Sequence, residues 1–173
     1  MHIRTIPTGL VLGLALLAAG AASAQAPNPL DNIPEQMPNN IPYGAPVSAD
    51  RAKEVIAAAV AETKKRNWSL VISVVDGAGN LVAFERMDGA QLGSIAISQH
   101  KARAAAQFRR ETKAFETGIQ NGLNYLITLD GVIGSRGGIP LIEGGKLIGA
   151  IGVSGGTGSQ DEVAAKAGAA LVK

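Results

Sequence analysis

The 173-residue chain is informative first through what it lacks. It has no cysteine and only two histidines. The missing cysteine excludes disulfides, zinc–thiolate sites, iron–sulfur clusters and thiol nucleophiles, and two histidines leave little room for a multi-histidine metal cage. One tryptophan, two tyrosines and three phenylalanines are too few for a surface that stacks single-stranded nucleic acid. The net charge of +2 adds no large positive excess, so we expect no nucleic-acid partner.

Residues 1–24 have the features of a secretory signal peptide. His2 and Arg4 give a positive start, an apolar run extends from Gly9 to Ala22, and Ala22-Ser23-Ala24 offers small residues for cleavage after Ala24. The apolar run is shorter than the ~20 residues that a membrane-spanning helix needs. We therefore predict a periplasmic or secreted protein with no membrane partner after signal cleavage.

Residues 25–47 form a proline-rich segment. Six of the eight prolines lie here, which disfavours helix and favours an extended linker or arm. Two interpretations stay open for this segment. It is either a flexible leader without a role, as terminal segments often are, or an arm that lies on a neighbouring subunit.

Residues 48–173 have the pattern of an α+β domain. Ser48 is a candidate helix cap, and β-branched runs alternate with alanine-rich helical runs. The predicted helices are 48–66, 92–108, 113–122 and a last one that begins at Ser159 or Asp161, and the predicted strands are 70–75, 81–86, 139–143 and 146–154. Two hairpins predict an antiparallel sheet of four to five strands, with helices mainly on one face. A second copy would then cover the other face.

Several residues carry more specific expectations. Thr112 is a candidate cap of the third helix, and Gly149 and Gly152 suggest close approach of a backbone or a ligand to their strand. The helix 92–108 should bury its most regular stripe, which comprises Leu92, Ile95, Ala96, Gln99, Ala102 and Ala106. Asp76, Asp88 and Asp161 suit turns or caps.

Chemistry-bearing side chains are densest between His100 and Lys113. This basic stretch is either a solvated helix face or a rim that binds carboxylates or phosphates. His100 is a candidate metal ligand. The stretch Gly152-Val153-Ser154-Gly155-Gly156 formally matches a serine-hydrolase elbow with His100 as its base, although that motif belongs to a parallel sheet. Tight turns are the favoured explanation for these glycines.

Three blocks of residues, in order along the chain, resemble the GlcG/HbpS-like family, also called the haem-degrading domain family. The first joins Val74-Val75-Asp76-x-x-Gly79 to Arg86-Met87-Asp88-Gly89-Ala90, and the second is Lys101-Ala102-x-x-Ala105-x-x-Phe108 with Thr112. The third joins Gly137-Gly138-Ile139-Pro140, Gly149-Ala150-Ile151-Gly152-Val153-Ser154-Gly155 and Gln160-Asp161-Glu162. The resemblance implies a profilin-like fold, homo-oligomers and binding of haem or a related tetrapyrrole.

The same resemblance implies a set of ligand-binding residues, which are Asp76, Arg86, Met87, Asp88, Lys101, Arg103, Thr112, Gly137 and Gly138. Lys101 and Arg103 would pair with haem propionates, and His100, Thr112 or Met87 would approach the iron. We therefore expect a periplasmic protein that binds a small molecule, with haem as the leading ligand. An enzyme acting on haem or a small organic acid, or an accessory subunit with a vestigial pocket, are the alternatives.

Overall fold

The computed structural model describes residues 35–37 and 40–172. The predicted signal peptide and the predicted arm up to residue 34 lie outside the described residues. No helix in the described part of the chain is long and apolar enough to cross a membrane.

Four α-helices and four strands make up the described domain, in an order close to the predicted one. They are α1 Ala49–Lys64, β1 Val71–Asp76, β2 Leu81–Arg86, α2 Ser94–Gln107, α3 Lys113–Gln120, β3 Gly138–Glu143, β4 Lys146–Ser154 and α4 Gly158–Ala169. A short 3₁₀ helix, Asn124–Thr128, follows α3 and has no counterpart among the predicted elements.

The first helix forms as its sequence predicts. The Ser48 hydroxyl accepts a hydrogen bond from the Arg51 amide at 3.2 Å and so caps α1. Apolar and small residues then recur at helical spacing, and the buried set is Ala52, Val55, Ile56, Ala59, Val60 and Thr63. This stripe packs against the sheet, while the opposite side of the helix carries charged residues in solvent.

The strands form one antiparallel sheet in the order β2-β1-β4-β3. β1 and β2 make one hairpin, and β3 and β4 make the other through Gly144-Gly145. Both glycines of this turn have positive φ, 55° and 74°, a combination that glycine adopts readily. The predicted α+β class and the antiparallel four-strand sheet are confirmed.

Helices cover both faces of this sheet rather than mainly one. Ile72 and Val74 of β1 pack with α1 and α4 in the larger apolar core. The alternate residues of β1 face α2: the Ser73 hydroxyl lies 2.8 Å from the Ser98 hydroxyl, and Val75 packs among alanines of α2. Because neighbouring residues of a strand point to opposite faces, the domain has three layers. The bare face that a second copy was expected to cover is therefore occupied by α2.

The α2 helix lies close to the sheet because both surfaces are built from small residues. A Cβ atom placed on Gly152 would collide with the backbone of Ser98 and Ala102. The close approach predicted at Gly152 is therefore that of the α2 backbone to β4. The buried face of α2 consists of Ser94, Ser98, Lys101, Ala102, Ala104, Ala105 and Ala106. The predicted stripe is wrong in part, since Leu92 precedes the helix and is 69% exposed.

Two predicted helix caps also differ from the structure. Thr157 caps α4 in a reciprocal capping box with Gln160, so neither Ser159 nor Asp161 is the cap. Thr112 precedes α3, but its hydroxyl makes no cap hydrogen bond. It accepts instead from the Gly138 amide, at 2.9 Å. The Thr112 side chain is thus taken by a tertiary contact, which local spacing does not show.

The end of the proline-rich segment is ordered against the domain. Residues 41–47, here called the strap, run beside the start of β4, where Gly44 N donates to Leu147 O at 2.7 Å and Val47 N to Ile148 O at 2.8 Å. The strap therefore extends the sheet within its own chain.

Side chains at the end of α2 hold the strap in place. The Tyr43 hydroxyl donates to the Gln107 carbonyl at 3.1 Å. The Arg109 guanidinium donates to the Ile41 carbonyl at 3.0 Å and lies 5.5 Å from the centre of the Tyr43 ring. These contacts place this part of the predicted arm on its own domain.

Candidate ligand-binding site

The structure separates the ten residues singled out from the sequence into three places. His100, Arg103 and Asp76 lie on or beside the outward side of α2. Lys101, Thr112, Gly137 and Gly138 meet in a buried cluster, whereas Arg86 ends β2 and Met87 and Asp88 follow it.

The outer surface of α2, defined by Ile97, His100 and Arg103, combines apolar, imidazole and cationic groups. These residues recur at three-residue spacing and therefore share one side of the helix. Ile97 is 39% exposed, His100 is half-buried and Arg103 is exposed. The surface thus offers an accessible imidazole between an apolar and a cationic neighbour.

The imidazole of His100 makes a defined contact with the loop before β3. Its Nε2 atom lies 3.2 Å from the Gly131 carbonyl oxygen. A carbonyl oxygen only accepts hydrogen bonds, so Nε2 carries the proton in this arrangement. No group of three or more histidine, cysteine, aspartate or glutamate residues in the described part of the chain is arranged to hold a metal ion.

Asp76 ends β1 and organises the turn that faces the same helix. Its Oδ1 atom accepts from the amides of Ala78 and Asn80, both at 2.9 Å. Burial raises the pKa of Asp76, but these hydrogen bonds and one from the Asn80 side chain outweigh it and hold the pKa below its ordinary value. Asp76 is thus an ionised turn residue, as the sequence suggested.

A cavity of about 410 Å³ lies where this turn, the strap and the end of α2 meet. It is lined by Tyr43, Gly44, Pro46, Asp76, Gly77, Ala78 and Gln107. Gly77 keeps this space open, because a Cβ atom there would lie 3.3 Å from the Tyr43 ring. Arg103 borders the same turn, since a Cβ atom on Gly79 would lie 3.2 Å from its Cγ.

Lys101 occupies a very different environment from its neighbour His100. Its side chain is 1% exposed, and its Nζ atom lies 2.7 Å from Oδ2 of Asp161, which is 3% exposed. The Gly156 amide donates to the other oxygen of Asp161 at 3.0 Å. Burial raises the pKa of Asp161, although the ammonium of Lys101 opposes the shift. This ion pair joins α2, on one face of the sheet, to α4, on the other.

Gly137, just before β3, and Gly138, its first residue, make room for this pair. A Cβ atom on Gly137 would lie 2.8 Å from Cβ of Asp161 and 3.2 Å from Nζ of Lys101. A Cβ atom on Gly138 would overlap the Lys101 carbonyl and lie 2.6 Å from the Thr112 side chain. Lys101, Thr112, Gly137 and Gly138 therefore come together as predicted, but as a packed cluster whose polar atoms already have partners.

Further charged residues that the sequence did not single out surround the cluster. Arg136 donates to Glu116 at 2.6 Å, and its hydrogen bonds hold the pKa of Glu116 below the ordinary value. Glu162 is approached by Lys166 at 2.6 Å and by Lys113 at 3.4 Å. Of the cations in the basic stretch, Lys113 is thus engaged with Glu162 and Lys101 with Asp161.

One signal in the sequence points to the buried pair. Ser94, Ser98, Lys101 and Ala105 follow a spacing of four, three and four residues, which places them on one helix face. A lysine on a face of otherwise small residues requires a buried acidic partner. The sequence does not identify that partner as Asp161.

Arg86, Met87 and Asp88 lie at the end of β2 that is far from the Asp76 turn. β2 runs from Leu81 beside the turn to Arg86, a length of about 17 Å at the usual strand rise. The Met87 sulfur accepts a hydrogen bond from the Thr63 hydroxyl at 3.2 Å and faces the core. Arg86 and Asp88 line a separate cavity of about 340 Å³ with Lys64 and Glu85.

The serine-hydrolase alternative finds no support in this geometry. Ser154 ends β4, is 4% exposed and donates from its hydroxyl to the Ser94 hydroxyl at 3.1 Å. The imidazole of His100 is bound to the Gly131 carbonyl instead. The residues that would form the nucleophile and its base have different partners.

Comparison with known proteins places these features in a family. Protein GlcG of Escherichia coli K12 is 44% identical over 108 residues, which cover 62% of this chain and 81% of GlcG. Protein ORFY of Klebsiella pneumoniae superposes with a TM-score of 0.70 and 32% identity, over 78% of this chain and 96% of ORFY. The crystal structure of a PduOC complex with haem has a TM-score of 0.67 and 28% identity, over 75% of this chain and 96% of PduOC.

A family model described as "Haem degrading protein HbpS-like" matches residues 47–170. That range includes every described helix and strand and all ten candidate site residues. The chain therefore belongs to the HbpS-like family.

Proposed function

We propose that this protein binds haem or a related tetrapyrrole on the outer surface of α2, with His100 as the group that reaches the iron. The observation that carries the proposal is the half-buried imidazole of His100, placed between Ile97 and Arg103 on the outer surface of α2, in a fold whose relative PduOC has been crystallised with haem. Haem iron is commonly held by one histidine, and His100 is the single histidine among the described residues.

The other two candidate iron ligands, Thr112 and Met87, contact the packed core. Thr112 is fully buried, and its hydroxyl accepts from the Gly138 amide. The Met87 sulfur faces Thr63 and the core. Among these three residues, His100 offers its ring to a ligand with the least rearrangement of the packed core.

The charges on α2 support the same location. Lys101, one of two cations expected to pair with haem propionates, is buried against Asp161. Arg103 is exposed, and within the described residues it forms no ion pair. An exposed guanidinium one turn from the imidazole is suited to a carboxylate, so Arg103 would hold a propionate. Ile97 would supply apolar contact to the macrocycle.

Titration with hemin tests this proposal. We expect a shifted Soret band that saturates at a defined ratio of hemin to chain. The wild type should bind hemin more tightly than hemin dimethyl ester by about two- to fivefold, as an exposed ion pair contributes, and R103Q should lose this preference. K53Q, which removes an exposed cation on α1, is the matched control and should keep it. Absence of any Soret shift at micromolar hemin refutes haem binding.

Haem breakdown is a second candidate function, because the matching family model is described as haem degrading. The protein would then consume the bound tetrapyrrole in the presence of a reductant and oxygen. We expect the Soret band of the complex to decay when a reductant and oxygen are supplied, to decay also when catalase is added to remove free peroxide, and to persist when the reductant is withheld. A stable Soret band under reducing, aerated conditions contradicts it.

We also propose that the protein acts in the periplasm after export. The support is the sequence of residues 1–24, with a positive start, an apolar run and small residues before Gln25. Cell fractionation and N-terminal sequencing test this directly. We expect the mature chain in the periplasmic fraction with Gln25 first, and an uncleaved chain in the cytoplasm contradicts export.

A homo-oligomer completes the proposal. β2 is an edge strand, and its Leu81 and Phe84 are 49% and 39% exposed. An edge strand with exposed apolar side chains favours pairing with another chain. Native mass spectrometry of the intact protein should show a multimer, together with the mass of any retained ligand. A monomer at micromolar concentration contradicts this part.

A further inference from the structure

The contact between His100 and Gly131 suggests how access to the proposed iron ligand is controlled. Nε2 is the ring nitrogen farther from the backbone. It is the atom that a porphyrin iron reaches, because a macrocycle approaching Nδ1 meets the Cβ atom and the helix. That same Nε2 lies 3.2 Å from the Gly131 carbonyl. In this conformation the ligating nitrogen is already occupied.

The segment that supplies the carbonyl is weakly held. Residues 129–135 contain no helix or strand and are exposed or half-buried. Within them the backbone makes one hydrogen bond to its own segment, from Val132 N to Leu129 O at 3.2 Å. Exposed backbone with few hydrogen bonds opens at low free-energy cost.

The segment has a firm anchor at its far end, so it can move without disturbing the core. Arg136 donates from its amide to Glu116 at 2.8 Å, and Gly137 packs against the Lys101–Asp161 pair. Gly131 itself adopts φ of +81°, a conformation that disfavours any residue with a side chain.

We propose that residues 129–135 form a latch on the ligand site. The Gly131 carbonyl holds the Nε2–H of His100 in the free protein, and it must release this atom before His100 can bind iron. Ligand binding and the latch contact therefore compete for one nitrogen. This inference rests on the proposed haem function and adds a regulatory step to the same site.

Nuclear magnetic resonance of the free protein tests the latch without any ligand. Long-range ¹H–¹⁵N spectra of the full chain distinguish the two imidazole tautomers, and H100Q identifies which signals belong to His100. We expect the Nε2–H tautomer in the free protein. A His100 ring protonated on Nδ1 alone overturns the latch, because the Gly131 carbonyl would then have no donor.

A pair of glycine substitutions tests the competition itself. G131A disfavours the latched backbone conformation and adds only ordinary contacts, the nearest at 3.6 Å. We expect hemin to bind G131A about two- to tenfold more tightly than the wild type, as loss of one competing hydrogen bond implies. Gly122 has a similar φ of +88° and no neighbour within 4 Å of an added Cβ. G122A therefore imposes the same backbone strain at another site and should leave affinity unchanged.

The outcomes separate the latch from the function on which it rests. Failure of the wild type to bind hemin refutes both. Binding that depends on His100 but is unchanged in G131A refutes the latch alone. Weaker binding in G131A refutes it too, because it would show that the Gly131 carbonyl orients the imidazole for the ligand and does not compete with it. Tighter binding in both G131A and G122A also refutes it, because the effect would then be general loosening.

Discussion

His100 and Lys101 are neighbours in the sequence but belong to two different regions of the molecule. The His100 side chain is half-buried at the outer surface of α2, and its Nε2 atom contacts Gly131 in the weakly held segment before β3. Lys101 is 1% exposed and joins α2 to α4 through Asp161. Successive side chains of a helix point about 100° apart. The side chain of His100 therefore reaches the surface, while that of Lys101 is buried in the structural ion pair.

The difference shows that a block of residues that carries a family resemblance need not bind a ligand throughout. Lys101, Thr112, Gly137 and Gly138 carry much of the resemblance to the family, and the structure accounts for all four by packing around one ion pair. His100 lies next to that block, yet it presents the more accessible chemical group. Substitutions in the Lys101 cluster should therefore lower stability, and substitutions at His100 should lower ligand binding.

The largest expected effect is on stability, from K101M. Removing one partner of a buried ion pair leaves the other charge unpaired, and we expect a loss of about 3–5 kcal/mol in the free energy of unfolding. Urea denaturation measures this. The double variant K101M/D161L should recover much of the loss, because both charges are then replaced by apolar groups.

K53M is the matched control for that experiment. Lys53 lies on α1 with a side chain that is 70% exposed, and its replacement should change stability by no more than about 0.5 kcal/mol. A K101M protein as stable as K53M would contradict a structural role for the buried pair.

The next largest effect is expected from G138A. Its new methyl group would overlap the Lys101 carbonyl and crowd Thr112, so unfolding should become easier by about 1–3 kcal/mol. G93A serves as the control, because a Cβ atom on Gly93 meets nothing within 4 Å. Equal stability of the two variants, measured by thermal unfolding, would show that β3 tolerates a side chain at its start.

A smaller effect concerns acid stability around the buried region. Arg136 holds the pKa of Glu116 below its ordinary value, so Glu116 stabilises the fold above its unfolded pKa of about 4.3. This contribution is lost as the pH falls through the lower folded pKa. E116Q should therefore flatten the fall in stability on acidification, as measured by urea midpoints across that range. An unchanged pH profile in E116Q would show that Glu116 does not contribute to the pH dependence of stability.

The sequence predicts the framework well where the pattern is local. The α1 stripe, both hairpins and the Gly144-Gly145 turn follow from periodicity and turn chemistry. The position of α2 does not, because it depends on Gly152 meeting the helix backbone across the sheet. Burial of small polar residues such as Ser94 and Ser98 cannot be read from hydrophobic spacing.

The candidate site is harder to predict than the fold, for a related reason. The family resemblance gathers Asp76, Arg86 and Lys101 into one expected pocket, but Arg86 is the last residue of β2, at the end opposite Asp76, and Lys101 is enclosed. Which residues share a surface depends on contacts between distant segments, such as Asp161 with Lys101. The strap adds a further example, since nothing local indicates that Tyr43 reaches Gln107.

The most direct test of the division between the two regions is the hemin dissociation constant of H100A, measured beside its free energy of unfolding. We expect affinity to fall by more than about tenfold, as loss of a metal ligand implies, with stability changed by no more than about 1.5 kcal/mol, the contribution of one hydrogen bond. Q99A, on the adjacent residue of α2, should leave both quantities near wild type. An H100A protein that binds hemin with the wild-type dissociation constant and Soret spectrum would contradict the assignment of His100 to the ligand site.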